Sequence, residues 1–395
     1  MDCSLAPIPD YGVYPDTPGL TQAAPQAGSI ALTWADGYVS EFHYIWLRDS
    51  CPCPACVNAV TREQTFEIFA HPDNFAIDDV SLTPSGALSI VWNHESHRSL
   101  YHPGWLRAHC YSEAARCARR LQPRAWGQDM QHRLPVFRFA EIMDSDTVLL
   151  HWLRTLRDDG VAVLRETPLE KGLLRQLAQR ISFLRRTNFG DIFDVQSDPD
   201  ANSNAFTSLR LPLHCDLPTR ELQPGFQFLH CLENRASGGD SILVDGFRVA
   251  RSLQDEKPAA FRLLSTRPVE FRNRDRHYDY RCKMPMIRLD EEGNLREIRL
   301  ANFLRGPLDL PANQIESFYH AYREFYQMFS EDRFLVRFRL QPGDIETFDN
   351  GRVMHARDAF DPSTGERLLQ GCYVDRDEVQ SRIRILEREE VRSWL

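Results

Sequence analysis

The chain has 395 residues, 42% of them hydrophobic, and a formal net charge of −9. Its length exceeds one ordinary domain and predicts two. The acidic balance argues against a nucleic-acid surface, and no apolar run approaches the ~18 residues that a membrane span needs.

The start, Met-Asp-Cys-Ser-Leu-Ala-Pro, has neither a basic n-region nor a long apolar h-region. Of the ten cysteines three cluster at 51–56 and the rest are scattered singly, which fits reduced thiols and a cytoplasmic protein. Residues 1–28, rich in Pro, Ala and Gly, read as an irregular lead-in. A hairpin follows: Ser29 to Trp34, a turn at Asp36-Gly37, then a strand from Tyr38 to Trp46. It runs into Cys51-Pro-Cys53-Pro-Ala-Cys56, where prolines stiffen a loop carrying three thiols. Three converging thiolates begin a tetrahedral Zn2+ site, and a histidine further on would close it. His94, His97 and His102 are the candidates, and His97 is the choice. A closed Cys3His set leaves no position for water, so this zinc would be structural. Residues 29–108 thus read as a small β-rich zinc-binding domain, and 109–135 as a helix (111–121) and a linker.

The second domain, 136–395, opens with a helix over 147–158, a buried strand at 161–164 and a helix from Pro168 to about Arg186. Strands are then expected at 205–213, 225–232, 241–245, 267–272, 284–289 and 296–303. One amphipathic helix, 312–329, interrupts them, and 334–340, 345–348, 352–356 and 368–374 complete the set. Helices followed by many short strands predict a mostly β fold with helices, a double-stranded β-helix (jelly roll).

The chemistry is carried by a few of these strands. Leu211-Pro-Leu-His214-Cys-Asp216 ends an apolar run in a His and an Asp two positions apart. In a strand, i and i+2 share a face, so the imidazole and the carboxylate converge. With a distal His355 they complete a 2-His-1-carboxylate triad, the arrangement that leaves open positions on a non-haem Fe(II). Arg367 follows twelve residues later, on the next strand, where a guanidinium can grip a dicarboxylate cosubstrate bidentately. Tyr373 lies six further on, on the same face by parity. Asp349, Asn350 and Arg357 are candidates for orienting the ligands.

Trp46-Leu-Arg-Asp-Ser-Cys-Pro-Cys-Pro-Ala-Cys56, Tyr101-His-Pro-Gly-Trp-Leu106, Asn188-Phe-Gly-Asp-Ile-Phe193, Phe271-Arg-Asn-Arg-Asp-Arg-His-Tyr-Asp-Tyr280 and Gly371-Cys-Tyr-Val-Asp375 add long, idiosyncratic motifs. Together with the triad they resemble the Fe(II)- and 2-oxoglutarate-dependent family of γ-butyrobetaine and trimethyllysine dioxygenases, over nearly the whole chain from about residue 30. The resemblance implies iron on His214, Asp216 and His355, the 2-oxoglutarate C5 carboxylate on Arg367, and zinc on Cys51, Cys53, Cys56 and His97. It implies an aromatic cage for a trimethylammonium group from Phe189, Phe193, Phe206 and Tyr373, and Asn302 at the substrate carboxylate. Three of these cage positions are Phe where animal members carry Tyr or Trp, and Ser203 replaces an Asn. Phenyl rings keep the negative face that attracts a cation.

The implied activity is hydroxylation of γ-butyrobetaine at C3 to L-carnitine, with succinate and CO2 formed, in a homodimer and with ascorbate as an optional auxiliary. The implied partners are O2 and a small substrate with a quaternary ammonium and a carboxylate. Alternatives are the same chemistry on trimethyllysine or another betaine, or a non-catalytic jelly-roll binding protein.

Overall fold

The computed structural model describes residues 6–71, 74–93, 97–197 and 207–394, with side chains as far as 390. The chain divides into two compact units, one built from the residues up to Leu121 and one from Gln122–Glu390. No helix among the described residues is long and apolar enough to cross a membrane.

The smaller unit holds two three-stranded antiparallel sheets, Leu20–Pro25, Ser29–Trp34 and Val39–His43 in one, Ile77–Leu82, Leu88–Trp92 and Arg98–Tyr101 in the other. Their alternating apolar residues, Ile30, Leu32, Phe42, Leu88 and Ile90 among them, bury a shared core with Trp34 and Trp92. Each indole N–H donates to a serine hydroxyl, Ser40 and Ser99 respectively, both at 2.9 Å. The lead-in is therefore not irregular throughout. Leu20–Pro25 pairs with Ser29–Trp34, and the turn between them uses Gly28 at φ 84°. The strand expected to reach Trp46 stops at His43, and Tyr44–Asp49 is helical. Tyr44 and Leu47, three apart, are buried there, a helical spacing that overrides the β propensity of the aromatic run.

That helix delivers the three cysteines into a turn, and His97, at the foot of Arg98–Tyr101, meets them. Its Nε2 lies 3.2, 3.7 and 3.8 Å from the sulfurs of Cys51, Cys53 and Cys56. A tetrahedral zinc with Zn–S near 2.3 Å has edges of about 3.5–3.8 Å, so the donor set fits that ion. Ser99 Oγ donates to Cys51 at 3.0 Å and Arg48 Nη1 to Cys56 at 3.4 Å, stabilising thiolate character. A hydrogen bond between the two thiols, with Arg48 assisting, pulls Cys56 down to about 5 although burial opposes it. His102 serves elsewhere: its Nδ1 caps the helix Pro103–Ala108. His94 lies outside the described residues.

In the larger unit the stretch after Pro123, which lacks periodicity, is packed. Trp126 is buried and donates from Nε1 to Asp159 O at 2.7 Å. Two sheets dominate. A six-stranded sheet runs in the order Val136–Arg138, Val161–Arg165, Ile345–Asp349, Phe226–Asn234, Arg367–Val374, Ile192–Val195. A four-stranded sheet runs Leu211–His214, Val353–Arg357, Ser241–Asp245, Val336–Phe338. One face of the larger sheet packs Phe226, Phe228, Ile345 and Val374 against helices Asp146–Asp159 and Leu173–Ile181 and the Val379–Leu386 stretch of the final helix. The smaller sheet buries Val244 and Met354 against helices Gly246–Glu256, Pro258–Thr266 and Ala312–Met328.

Two of these three helices break the expected run of strands, and the final helix Arg376–Trp394 follows it. Their start signals are local: Asp245 accepts from Phe247 N, and Pro258 occupies a first-turn position. The helix expected from Pro168 begins only at Leu173, after Gly172 at φ 83°, and ends at Ile181. Of the 296–303 strand only Leu295–Ile298 is extended, and Asn302–Leu304 is a 3-10 turn.

Cys53→Ser is expected to reduce bound zinc and to lower the Tm by about 5 °C or more, because metal binding contributes directly to folding. Metal analysis alongside a thermal melt checks it; wild type without zinc, or a variant with undiminished zinc, would refute it.

Candidate active site

A cavity of about 550 Å³ lies between the two sheets of the larger unit. From the four-stranded sheet Leu211, His214, Ser241, His355 and Arg357 line it; from the six-stranded sheet come Phe193, Gln227, Leu229, Glu346, Arg367, Leu369 and Tyr373. The alternation of strands explains the selection. Arg367, Leu369 and Tyr373 occupy alternate positions of one strand, as Phe193 and Val195 do of another. Leu211 and His214 have odd spacing yet both reach the cavity, because a bulge between them shifts the register.

His214 and His355 are direct cross-strand partners, with ring centroids 4.1 Å apart. Asp216 Oδ1 lies 3.3 Å from His214 Nε2 and 3.7 Å from His355 Nε2. The three donor atoms are thus close enough for one ion, with the cavity on the remaining side. His214 Nδ1 bonds Pro212 O at 2.9 Å, which leaves Nε2 free as a ligand. Burial raises the Asp216 carboxyl, but His355, His214 and the Tyr373 hydroxyl together hold it well below the usual carboxylate range. Burial, and then the neighbouring His214, push His355 down to about 3, so its imidazole is neutral. A charged carboxylate and two imidazole nitrogens are the donor chemistry that a divalent iron takes.

The backbone around Asp216 is held from two sides. Asn350 accepts from Asp216 N at 2.6 Å and donates to Asp216 O at 3.0 Å and to Pro224 O at 3.1 Å. Arg299, fully buried and paired with Glu297, donates to the carbonyls of Pro218, Arg220 and Glu221. Cys215 belongs to the core cluster, and its sulfur accepts from Leu300 N at 3.2 Å. Of the other two expected orienting residues, Asp349 pairs with Arg376, and Arg357 donates to the carbonyls of Thr207 and Leu209.

The aromatic positions divide. Phe189, Phe193 and Tyr373 form one cluster, with centroids 5.7 Å apart for the first pair and 5.5 Å for the second. Tyr373 also donates its hydroxyl to Asp216 Oδ2 at 2.6 Å. Phe206 and Ser203 lie outside the described residues. Asn302 is exposed, accepts from Tyr322 at 2.9 Å and is not among the cavity-lining residues. The 3-10 turn that carries it aims Phe303 and Leu304 inward instead.

Several cavity residues escaped sequence reasoning. Asn273, Arg274, Asp275, His277 and Tyr278 come from the hairpin joining Pro268–Arg274 to Asp279–Pro285. Its dense polar and aromatic composition was the available signal. Arg220 stacks 3.4 Å over Tyr280 and bonds Asn188 at 3.0 Å.

Comparison with known proteins agrees with this geometry. The model of the taurine catabolism dioxygenase TauD, TfdA family matches residues 118–373. A γ-butyrobetaine hydroxylase-like N-terminal model matches 21–107. The γ-butyrobetaine dioxygenase of Pseudomonas sp. (strain AK-1) is 53% identical over 384 residues, 96% of this chain and 100% of the relative. The enzyme of that name from Homo sapiens is 33% identical over 93% of this chain and 96% of its own. A trimethyllysine dioxygenase of Meyerozyma guilliermondii is 29% identical over 91% of this chain and 93% of its own. With the triad, the cavity and both family models in agreement, the chain belongs to the TauD/TfdA family of iron- and 2-oxoglutarate-dependent dioxygenases, in its γ-butyrobetaine dioxygenase group.

Proposed function

We propose that this dioxygenase hydroxylates γ-butyrobetaine at C3 to give L-carnitine, within a double-stranded β-helix built from the two sheets around the cavity. The observation that carries the reading is Tyr373, whose ring packs on Phe193 while its hydroxyl holds Asp216. One side chain thus links an aromatic wall to the metal triad.

His214, Asp216 and His355 hold iron in this reading, and Arg367 takes the C5 carboxylate of 2-oxoglutarate. When bound, iron and 2-oxoglutarate supply the oxidising chemistry, in which O2 is consumed, succinate and CO2 form, and one oxygen atom ends on the substrate carbon. The protein's part is placement. Phe189, Phe193 and Tyr373 turn ring faces towards a trimethylammonium group, which has no N–H and can be selected only by charge and shape. Asn273 and Arg274 carry the donors that the substrate carboxylate needs at the cavity wall. Held at both ends, the substrate offers one C–H bond to the open side of the metal. The Cys3His cluster is a structural zinc site in the N-terminal domain.

The deciding experiment is succinate formation by purified protein with γ-butyrobetaine, with trimethyllysine and with no substrate. Strong stimulation by γ-butyrobetaine, with L-carnitine as product, is expected; preference for trimethyllysine would transfer the assignment to that substrate.

Asp216→Ala is expected to reduce 2-oxoglutarate turnover below about 1% of wild type while fold and zinc content persist, since the carboxylate neutralises part of the metal charge. Turnover near wild type would mean that another carboxylate ligates the metal.

At Tyr373 two roles separate by substitution. Tyr373→Leu removes the ring and should raise the KM for γ-butyrobetaine about tenfold or more, because a desolvated cation–π contact contributes roughly 2 kcal/mol. Tyr373→Phe keeps the ring, so KM should stay within about twofold while Fe(II) affinity falls. An analogue with tert-butyl in place of trimethylammonium tests charge against shape. Equal kcat/KM for both compounds would reduce the cage to an apolar pocket.

A further inference from the structure

Glu346 has no part in the chemistry above, yet its side chain lines the cavity. It sits in the Ile345–Asp349 strand, 1% exposed, between Val163 and Leu229 on the flanking strands. Its Oε2 accepts from Ser241 Oγ at 3.2 Å, whereas Oε1, also buried, has no hydrogen-bond partner in the protein. Arg367 Nε is likewise buried without a partner. Two unsatisfied polar groups at one wall of a cavity need a ligand to satisfy them.

The surroundings decide which form of Glu346 is present. Arg367 and Arg357 are the cations on this side, and among the described residues Ser241 donates to the carboxyl. Further along the same face Cys231 is a neutral thiol, pushed up to about 12 by burial, and burial also raises Asp344. Burial pushes Glu346 up to about 7, against the opposing pull of Ser241 and Arg367. Below about pH 7 the carboxyl therefore keeps a proton that it can donate.

We propose that Glu346 binds the cosubstrate in its neutral form, donating a hydrogen bond from its free oxygen to the distal carboxylate of 2-oxoglutarate beside Arg367. The inference rests on Arg367 being the partner of that carboxylate. A neutral donor adds a hydrogen bond where an anion would repel the dicarboxylate, so loss of the proton weakens cosubstrate binding. The sign follows: affinity is greatest below the Glu346 pKa and falls as pH rises through it, by up to about tenfold per pH unit.

The test is anaerobic calorimetric titration of the Fe(II) protein with 2-oxoglutarate at about pH 6 and about pH 8.5, with turnover excluded. Wild-type affinity should fall more than about tenfold across that interval. Glu346→Gln keeps an N–H donor that does not titrate, so its affinity should be nearly the same at both values. Glu346→Val, which has no donor, should bind weakly at both, and it serves as the second variant if the first folds poorly. A purely structural role would lower Tm in both variants but leave the pH slope of cosubstrate binding intact.

A flat wild-type profile, or a Glu346→Gln slope equal to wild type, overturns the proposal. Arg367→Leu is the separate control. If it binds 2-oxoglutarate as wild type does, the assignment of Arg367 itself fails, whatever Glu346 does.

Discussion

The register between Leu211–His214 and Val353–Arg357 is the constraint on which the site depends. It sets His214 directly opposite His355. Side chains alternate along a strand, so a slip of one residue would turn His355 from the cavity towards the helices behind the sheet. The register is fixed on both sides of the Val353–Arg357 strand. Ser241–Asp245 pairs with it through five consecutive positions, and Met354 is buried in the core behind. An apolar core on one face thereby enforces the position of a candidate metal ligand on the other.

Asp216 lies just beyond its strand and has no ladder to hold it. Polar groups take over there. Asn350 bonds both backbone groups of Asp216, and Arg299 gathers the carbonyls of the following loop. The turn that carries Asn350 is itself tied to the strand before Gly246: Arg352 and Asp245, both almost fully buried, form a two-point pair at 3.0 and 2.9 Å. Asp245 also caps the next helix and accepts from Trp126 N. Breaking such a pair by removing one partner leaves an uncompensated buried charge. These residues touch no substrate, but they hold the loop on which the triad's carboxylate stands.

The two candidate metal clusters follow one plan at different scales. In each, ligands close in sequence share a short turn or strand end, and a distant histidine on a paired strand completes the set. The Cys3His cluster adds Ser99 and Arg48 as donors to sulfur; the His-Asp-His cluster adds Pro212 O, Asn350 and Tyr373. The difference is on the open side. Four donors surround one point in the first, whereas three in the second leave a face towards the cavity.

Read alone, the sequence determined the elements whose signals are local. The His-x-Asp at a strand end, the cysteine knuckle and the parity of Arg367 with Tyr373 all depend on neighbours a few residues away. The structure assembles each of them as spacing requires. Tertiary structure alone decided what depends on parts of the chain far apart in sequence. That His97, the histidine chosen from the sequence, meets the cysteines follows from the pairing of the strand it precedes. Tyr373 became a partner of Asp216, 157 residues away, because the two sheets face each other. Asn302 turned out of the cavity when its expected strand closed into a 3-10 turn. Glu346 is unremarkable in sequence, one acid in a short strand. Only the packing of both sheets takes its carboxyl out of water, and that burial is what gives it chemistry.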